Sequence, residues 1–261
     1  MTTTLIRRAG VFALIAATTT TLTGCAGVLG ARLTYNDTEQ AKVTEVALSG
    51  NGGNVIITTG AVQQTTIKRV VRGSSNPGES YRMAGTTLNL DTSCGSDCRV
   101  SYEIQAPVGV AVRGRLTTGD IALDGVGVAD VELTSGNVAV RNATGAVRVH
   151  TTSGDIEVLD AKGTVTAQTA SGNVRAMNAG GAVDVSSTSG DVDVKITAVN
   201  SVHVQATSGD VHVIVPQGSY KISTDTSSGN ASLHGLTNDP AAKNVIDVGT
   251  RSGDVDIEAA A

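Results

Sequence analysis

Charged side chains at equivalent positions of successive repeats, which we call a file, are the residues most suited to catalysis. Equivalent positions in four successive copies of a short motif carry Glu157, Arg175, Asp193 and His212. At a second such position, Asp184 lies one copy before His203. Carboxylates beside an arginine could neutralise and deprotonate a uronate, which is the chemistry of a polysaccharide-acting enzyme. Opposite charges on neighbouring strands also form ordinary pairs, each contributing about 0.2–1 kcal/mol. We favour such pairs and predict no enzyme activity, because Trp is absent and the charges change between copies.

A second file consists of the acidic and amide residues that follow a repeated glycine. Its members are Asp120, Asn137, Asp155, Asn173, Asp191, Asp210, Asn230 and Asp254. Asp and Asn tolerate the backbone of tight turns, so turn formation explains the file. Asp191 and Asp210 follow each other without an intervening Asn and are the best candidates for calcium binding. The additional glycines of calcium-binding repeats are missing, so we expect plain turns and no metal.

Cys94 and Cys98 are the two cysteines in the main body of the chain. Outside the cytoplasm an even pair is most simply a disulfide, which would close a tight loop and pin a hairpin. A metal site would need two more ligands, and no histidine or further cysteine lies near in sequence.

The elements that must position these residues are short repeats. A Ser/Thr-Gly-Asp/Asn-aliphatic motif occurs eight times, with its glycine at Gly119, Gly136, Gly154, Gly172, Gly190, Gly209, Gly229 and Gly253. The first six glycines are 17, 18, 18, 18 and 19 residues apart, and the later intervals lengthen to 20 and 24. Weaker turns fall half-way between several of them, so each coil contains two turn-and-strand units. A motif in eight copies indicates a structural role, since a catalytic site is usually unique.

Alternation within each unit predicts strands with one apolar face. Ile156 and Val158, for example, alternate with Asp155 and Glu157. One coil cannot stand alone, because burying its four β-branched residues yields about 6–12 kcal/mol and ordering its backbone opposes folding by at least as much. Stacking removes this limit, because each coil buries its apolar side chains against those of the neighbouring coils. The sequence therefore predicts an all-β, single-stranded β-solenoid (β-helix) of coils about 18 residues long, with a core of Val, Ile, Leu and Ala.

Less regular segments flank the repeat. Residues 43–116 are predicted to form an irregular β N-terminal cap and first coils, in one continuous domain with the repetitive solenoid of residues 117–261. Residues 25–42 are predicted to be a tether. Asp254–Glu258 is predicted to be the final edge strand, whose acidic residues discourage end-to-end pairing.

Residues 1–24 are predicted to be a signal peptide. Arg7 and Arg8 precede an apolar stretch too short for a bilayer, which needs roughly 20 apolar residues. The stretch ends in Leu22-Thr23-Gly24-Cys25, which resembles the bacterial lipobox. That resemblance implies cleavage before Cys25 and attachment of lipid to it. The alternative is an ordinary signal peptide with an incidental cysteine.

The repeated Thr-Ser-Gly-Asp/Asn-Val units, and the strand Tyr102–Val110 that leads into them, resemble the bacterial adhesin-like β-strand-repeat family, also called toastrack. The resemblance covers most of residues 43–258. It implies a single-stranded β-helix at the cell envelope, labelled adhesin by analogy and sometimes linked to envelope-stress systems. It brings no catalytic residues.

The net charge and the predicted lipoprotein signal peptide limit the possible classes of function. The chain has a formal net charge of −5, which becomes more negative without Arg7 and Arg8, and no basic patch stands out. Nucleic-acid binding is therefore not expected. The leading function is a non-enzymatic, extracytoplasmic lipoprotein, bound to the membrane through Cys25, that presents a repetitive face to wall polymers or envelope proteins. The alternative is an accessory of an envelope-stress system acting through a membrane protein, and a polysaccharide-acting β-helix enzyme is a distant one. No cofactor is expected, and the oligomeric state stays open.

Overall fold

The computed structural model describes residues 32–73 and 77–260, in which every regular element is a β-strand. In spatial order, the twelve strands of sheet 1 are β1 (Arg32–Glu39), β4 (Thr65–Arg72), β7 (Arg99–Pro107), β3 (Val55–Gly60), β9 (Ile121–Asp124), β11 (Val138–Arg141), β13 (Ile156–Leu159), β15 (Val174–Ala179), β17 (Val192–Ile196), β19 (Val211–Val215), β23 (Val255–Ala259) and β21 (Ala231–His234). The eleven strands of sheet 2 are β20 (Tyr220–Ser228), β22 (Asn244–Ser252), β18 (Val202–Ser208), β16 (Val183–Ser189), β14 (Val165–Ser171), β12 (Val147–Ser153), β10 (Ala129–Ser135), β8 (Ala111–Thr118), β2 (Glu45–Ser49), β6 (Thr87–Asp91) and β5 (Tyr81–Ala84). None of these described residues belongs to a helix that could cross a membrane.

Each coil contributes one strand to each sheet. From β8 to β19 the chain alternates between the sheets, and every strand pairs in parallel with its equivalent one coil away. Val147 thus lies opposite Val165 in sheet 2, and Ile156 lies opposite Val174 in sheet 1. These four side chains are each 1% exposed. The predicted all-β solenoid is therefore confirmed.

Aliphatic side chains fill the space between the sheets, but two tyrosines join them towards the ends. Tyr102 in β7 and Tyr220 in β20 are at most 1% exposed. The Tyr102 hydroxyl contacts the carbonyl oxygens of Ser80 and Asp91, and burial raises its pKa to about 12. Tyr102 is therefore a neutral packing residue with a satisfied polar end.

The coil order departs from the chain order at the C-terminal end. β22 lies between β18 and β20, and β23 lies between β19 and β21. The prediction that Asp254–Glu258 forms the final edge strand is therefore wrong, since β23 is paired on both sides and β21 is the edge. The burial of side chains explains this order. At matching inner positions the interior coil carries Val248 and Val255, where the end coil carries Thr224 and Ala231. The more apolar coil occupies the interior position.

The N-terminal end shows the same kind of exchange. The β2/β3 coil pairs with the β8/β9 coil, and β6 and β7 lie outside it. β4 and β1 then extend sheet 1 with antiparallel pairing, and β5 does the same for sheet 2. Residues 32–39, which the sequence assigns to the tether, form β1. Residues 26–31 and Cys25 lie outside the described residues.

A disulfide joins Cys94 and Cys98 in the loop between β6 and β7. Ser93 and Arg99, which flank the bond, form an isolated antiparallel bridge, so the bond closes a tight hairpin-like loop at the corner where the chain passes from sheet 2 to sheet 1. It fixes the outermost coil of the N-terminal end.

Candidate interaction surface

A hydrogen-bonded file of Asp and Asn side chains runs along the corner where sheet 2 turns into sheet 1. We call this file the turn ladder. In spatial order its members are Asn54, Asp120, Asn137, Asp155, Asn173, Asp191, Asp210, Asp254 and Asn230. At every step the Oδ1 atom of one member accepts a hydrogen bond of 2.8–3.1 Å from the backbone N–H of the next. The side chains therefore satisfy backbone donors that the turns leave outside the strand ladders.

The ladder gives the calcium candidates a structural role. Asp191 Oδ1 accepts from Asp210, and Asp210 Oδ1 accepts from Asp254. Insertion of β23 makes these three aspartates consecutive, so neighbouring carboxylates repel each other by about 1 kcal/mol at 4 Å in water. In the described part of the chain, no three His, Cys, Asp or Glu side chains form a group suited to a metal ion.

Asn54 is a ladder member that the sequence interpretation missed. It lies in Gly53-Asn54-Val55, which matches the repeat except that Gly52 replaces the usual Ser or Thr. Its Oδ1 accepts from the N–H of Asp120 at 3.1 Å. A search for Gly-Asp/Asn-aliphatic alone would have found it and extended the repeat to β2/β3.

The predicted charged file does form a row on the outer face of sheet 1. Glu157 lies opposite Arg175, Arg175 opposite Asp193, and Asp193 opposite His212. The closest contacts differ from this row, however, because Glu157 pairs with Arg141 at 2.7 Å and His212 Nε2 lies 3.4 Å from Glu258 Oε1. All of these side chains are at least one-third exposed. They form solvated cross-strand pairs.

Asp184 and His203 occupy the outer face of sheet 2. They lie opposite each other, but His203 Nδ1 is 3.2 Å from Asp247 Oδ2 on the other side. A shallow cavity of about 540 Å³ lies over these residues and is floored by Val183 and Val202. Since the His203 and Asp247 side chains are 48% and 43% exposed, water reaches the pair freely.

The ionisable groups with clearly shifted pKa values each have a structural explanation. Burial raises the pKa of Tyr81 to about 12, helped by the negative charges of Asp37 and Glu39. Burial also raises the pKa of Tyr220. Asp239 has a lowered pKa because the Ser219 hydroxyl and the Ala241 N–H donate hydrogen bonds to its carboxylate.

The comparison with protein families decides the classification. The model described as toastrack matches residues 36–180 and 168–258, which is almost the whole described fold. The chain belongs to the toastrack family. No curated protein matches it.

Three solved structures are similar to this toastrack chain. The first, named "putative adhesin", comes from Bacteroides fragilis and is 14% identical, with 90% of this chain and 100% of that chain covered and a TM-score of 0.46. A protein of the same name from Parabacteroides distasonis is 11% identical, with coverage of 88% and 98% and a TM-score of 0.43. A "putative cell adhesion protein" from Clostridium sporogenes is 15% identical, with coverage of 88% and 100% and a TM-score of 0.29.

The toastrack fold brings all eight motif glycines to one corner. Each has a positive φ, from +114° at Gly119 to +149° at Gly229. The disulfide loop lies at the N-terminal end of the same corner, where the Ser93 hydroxyl accepts a hydrogen bond from Asn51 N–H in the turn between β2 and β3. Cys25 lies outside the described residues and outside the family match. The structure thus joins the turn residues into one ladder and leaves the charged rows on the two faces.

The role of the ladder side chains can be tested at Asp210. Asp210→Ala removes the acceptor for Asp254 N–H, so we expect a loss of about 1 kcal/mol in the free energy of unfolding. Asp210→Asn keeps an acceptor and separates two carboxylates, so its stability should equal or exceed that of the unchanged chain. Urea denaturation followed by circular dichroism measures both. Equal losses in the two variants would contradict this role.

Proposed function

We propose that this toastrack protein is an extracytoplasmic lipoprotein that acts without catalysis, as an adhesin-like interaction protein. The parallel register of the coils supports this proposal. It places outward side chains in continuous rows, such as Thr166, Asp184, His203 and Asp247 on sheet 2. Such rows repeat at the strand spacing of about 4.8 Å. A linear wall polymer or an extended protein surface could contact several coils at once, so that many weak contacts combine.

The proposed anchor is Cys25. Residues 1–24 have the charged start and apolar stretch of a signal peptide, and Leu22-Thr23-Gly24-Cys25 resembles a lipobox. More than one acyl chain gives stable membrane attachment, because each buried methylene contributes about 0.8 kcal/mol. The first described strand begins at Arg32, seven residues after this proposed anchor.

Binding is tested with a pull-down. Residues 26–261, which contain the whole described fold, are incubated with isolated cell wall or with membrane extract, at low and high salt. Saturable binding to wall would support a polymer ligand, and capture of one envelope protein would support a protein partner. Absence of saturable binding to both would contradict the adhesin-like function.

Anchoring is tested separately in cells. We expect the full chain, expressed in a bacterium fed labelled palmitate, to incorporate the label and to fractionate with membranes. Cys25→Ala should abolish the label, because it removes the thiol that accepts the lipid. The double variant Cys94→Ala/Cys98→Ala is the matched control and should retain the label. Labelling of the Cys25→Ala chain would refute the proposed anchor.

A further inference from the structure

Three arginines form a row across the first strands of sheet 1. Arg32 in β1 lies opposite Arg72 in β4, and Arg72 lies opposite Arg99 in β7. All three side chains are exposed and lie where β1 and β7 begin and β4 ends. We call them the arginine row. Like charges directly opposite each other on neighbouring strands destabilise a sheet. The stability of the fold therefore does not explain the row, and a binding role would.

Several other basic residues of the outer faces pair with an acidic residue on the adjacent strand. Lys68 Nζ lies 2.9 Å from Glu103 Oε2, and Arg113 Nη1 lies 3.3 Å from Asp130 Oδ2. Within the described residues, no carboxylate lies within 4.0 Å of a guanidinium nitrogen of the arginine row. The row therefore offers three guanidinium groups to an anion from outside.

A groove of about 1000 Å³ lies along the arginine row. Ile56, which is 44% exposed, gives it an apolar part. Asp97 and Glu103 also line it, and Glu103 is neutralised by Lys68. The groove thus combines an excess of positive charge with an apolar surface. Such a combination suits an amphipathic anion better than a fully hydrated one.

The arginine row lies close to the proposed anchor. Arg32 is the first residue of β1, and the six residues between it and Cys25 can span no more than about 25 Å. We propose that the arginine row binds the phosphate groups of anionic phospholipids in the membrane that holds Cys25. This inference rests on the proposed anchoring and adds a second, non-covalent contact. A guanidinium group binds phosphate with two parallel hydrogen bonds, which a surface lysine cannot do.

This contact would orient the solenoid. A lipid anchor at Cys25 fixes one point of the chain and does not by itself set the orientation of the solenoid. Bound headgroups would hold the N-terminal end of the solenoid against the membrane, with β20 and β21 pointing away from it. The outer faces would then be presented to the wall side at a defined angle.

The test uses the unlipidated chain, residues 26–261, and vesicles of phosphatidylglycerol mixed with phosphatidylcholine. We expect binding to these vesicles although the chain is acidic overall, and no binding to phosphatidylcholine alone. Each basic residue at an anionic surface contributes about fivefold to partitioning. The triple variant Arg32→Gln/Arg72→Gln/Arg99→Gln should therefore bind roughly 100-fold more weakly. Replacing the same three residues by lysine should retain only part of the binding.

The matched control removes the same charge elsewhere. Arg148, Arg175 and Arg251 are exposed and lie in later coils, and their triple replacement by Gln should leave binding within about twofold. Thermal unfolding establishes that both triple variants are folded. A soluble glycerol-phosphate polymer is added as a competitor, and stronger binding of that polymer than of vesicles would overturn the assignment to lipid. Equal losses in the two triple variants would also overturn it. These outcomes do not depend on palmitate labelling, so failure here is distinguishable from failure of the Cys25 anchor.

Discussion

The Gly172→Ala chain is expected to be destabilised by about 3 kcal/mol or more, or to fail to fold. Gly172 has a φ of +139°, and an added Cβ atom would lie 2.2 Å from the carbonyl oxygen of Gly154 in the preceding coil. Neither backbone can move away easily. Gly172 N–H donates to Ser189 O at 2.9 Å, and Gly154 N–H donates to Ser171 O at 2.8 Å. The single methyl group must therefore break the stack or distort it over several coils.

Gly85→Ala is the matched control. Gly85 has a φ of +63° in the turn between β5 and β6, and an added Cβ atom would meet no atom within 4 Å. Its replacement should cost only the left-handed backbone penalty of about 1–2 kcal/mol. Urea denaturation compares the free energies of unfolding of both variants. A Gly172→Ala chain as stable as the Gly85→Ala chain would show that the coils can separate at little cost.

Removal of residues 244–261 is expected to melt the C-terminal end of the solenoid. Those residues form β22 and β23, whose inner side chains Ile246, Val248, Val255 and Ile257 are at most 1% exposed. Their burial contributes about 6–12 kcal/mol before the entropy of ordering is subtracted. Without them β20 and β21 lose their only described strand partners. We expect rapid proteolysis within residues 216–243, a lower melting temperature and an earlier transition in circular dichroism.

Removal of residues 155–172 is the control of equal length. It deletes one internal coil and joins Gly154 to Asn173, so the motif is preserved across the junction. Each repeat of a solenoid contacts only its neighbours, and equivalent residues lie opposite each other on both sides of the deletion. The shortened chain should keep its strand content and resist proteolysis. If the internal deletion were as damaging as the terminal one, the coils would not be interchangeable.

Much of the fold follows from local sequence. Alternation of Ile156 and Val158 with polar neighbours predicts strands, and the glycine interval predicts the coil length. Both signals are local because a coil repeats the same backbone path at each level. The turn role of Asp and Asn was also predictable, although the direction of their hydrogen bonds was not. β1 and β5 were missed, since they are edge strands with polar or half-buried side chains and a weak apolar pattern.

The sequence by itself determined the repeating unit, its turns and the all-β architecture, because these depend on residues within one coil. Only the tertiary structure decided which coils are neighbours at the two ends. That order depends on which apolar strands are best buried and on how far the connecting loops reach. It makes Asp210 and Asp254 neighbours in the ladder, and it aligns Arg32, Arg72 and Arg99 although they are far apart in sequence. Several strands can bury their apolar side chains against the same coil, and the strand that buries them best becomes its neighbour. The sequence pattern within one strand does not show which strand that is.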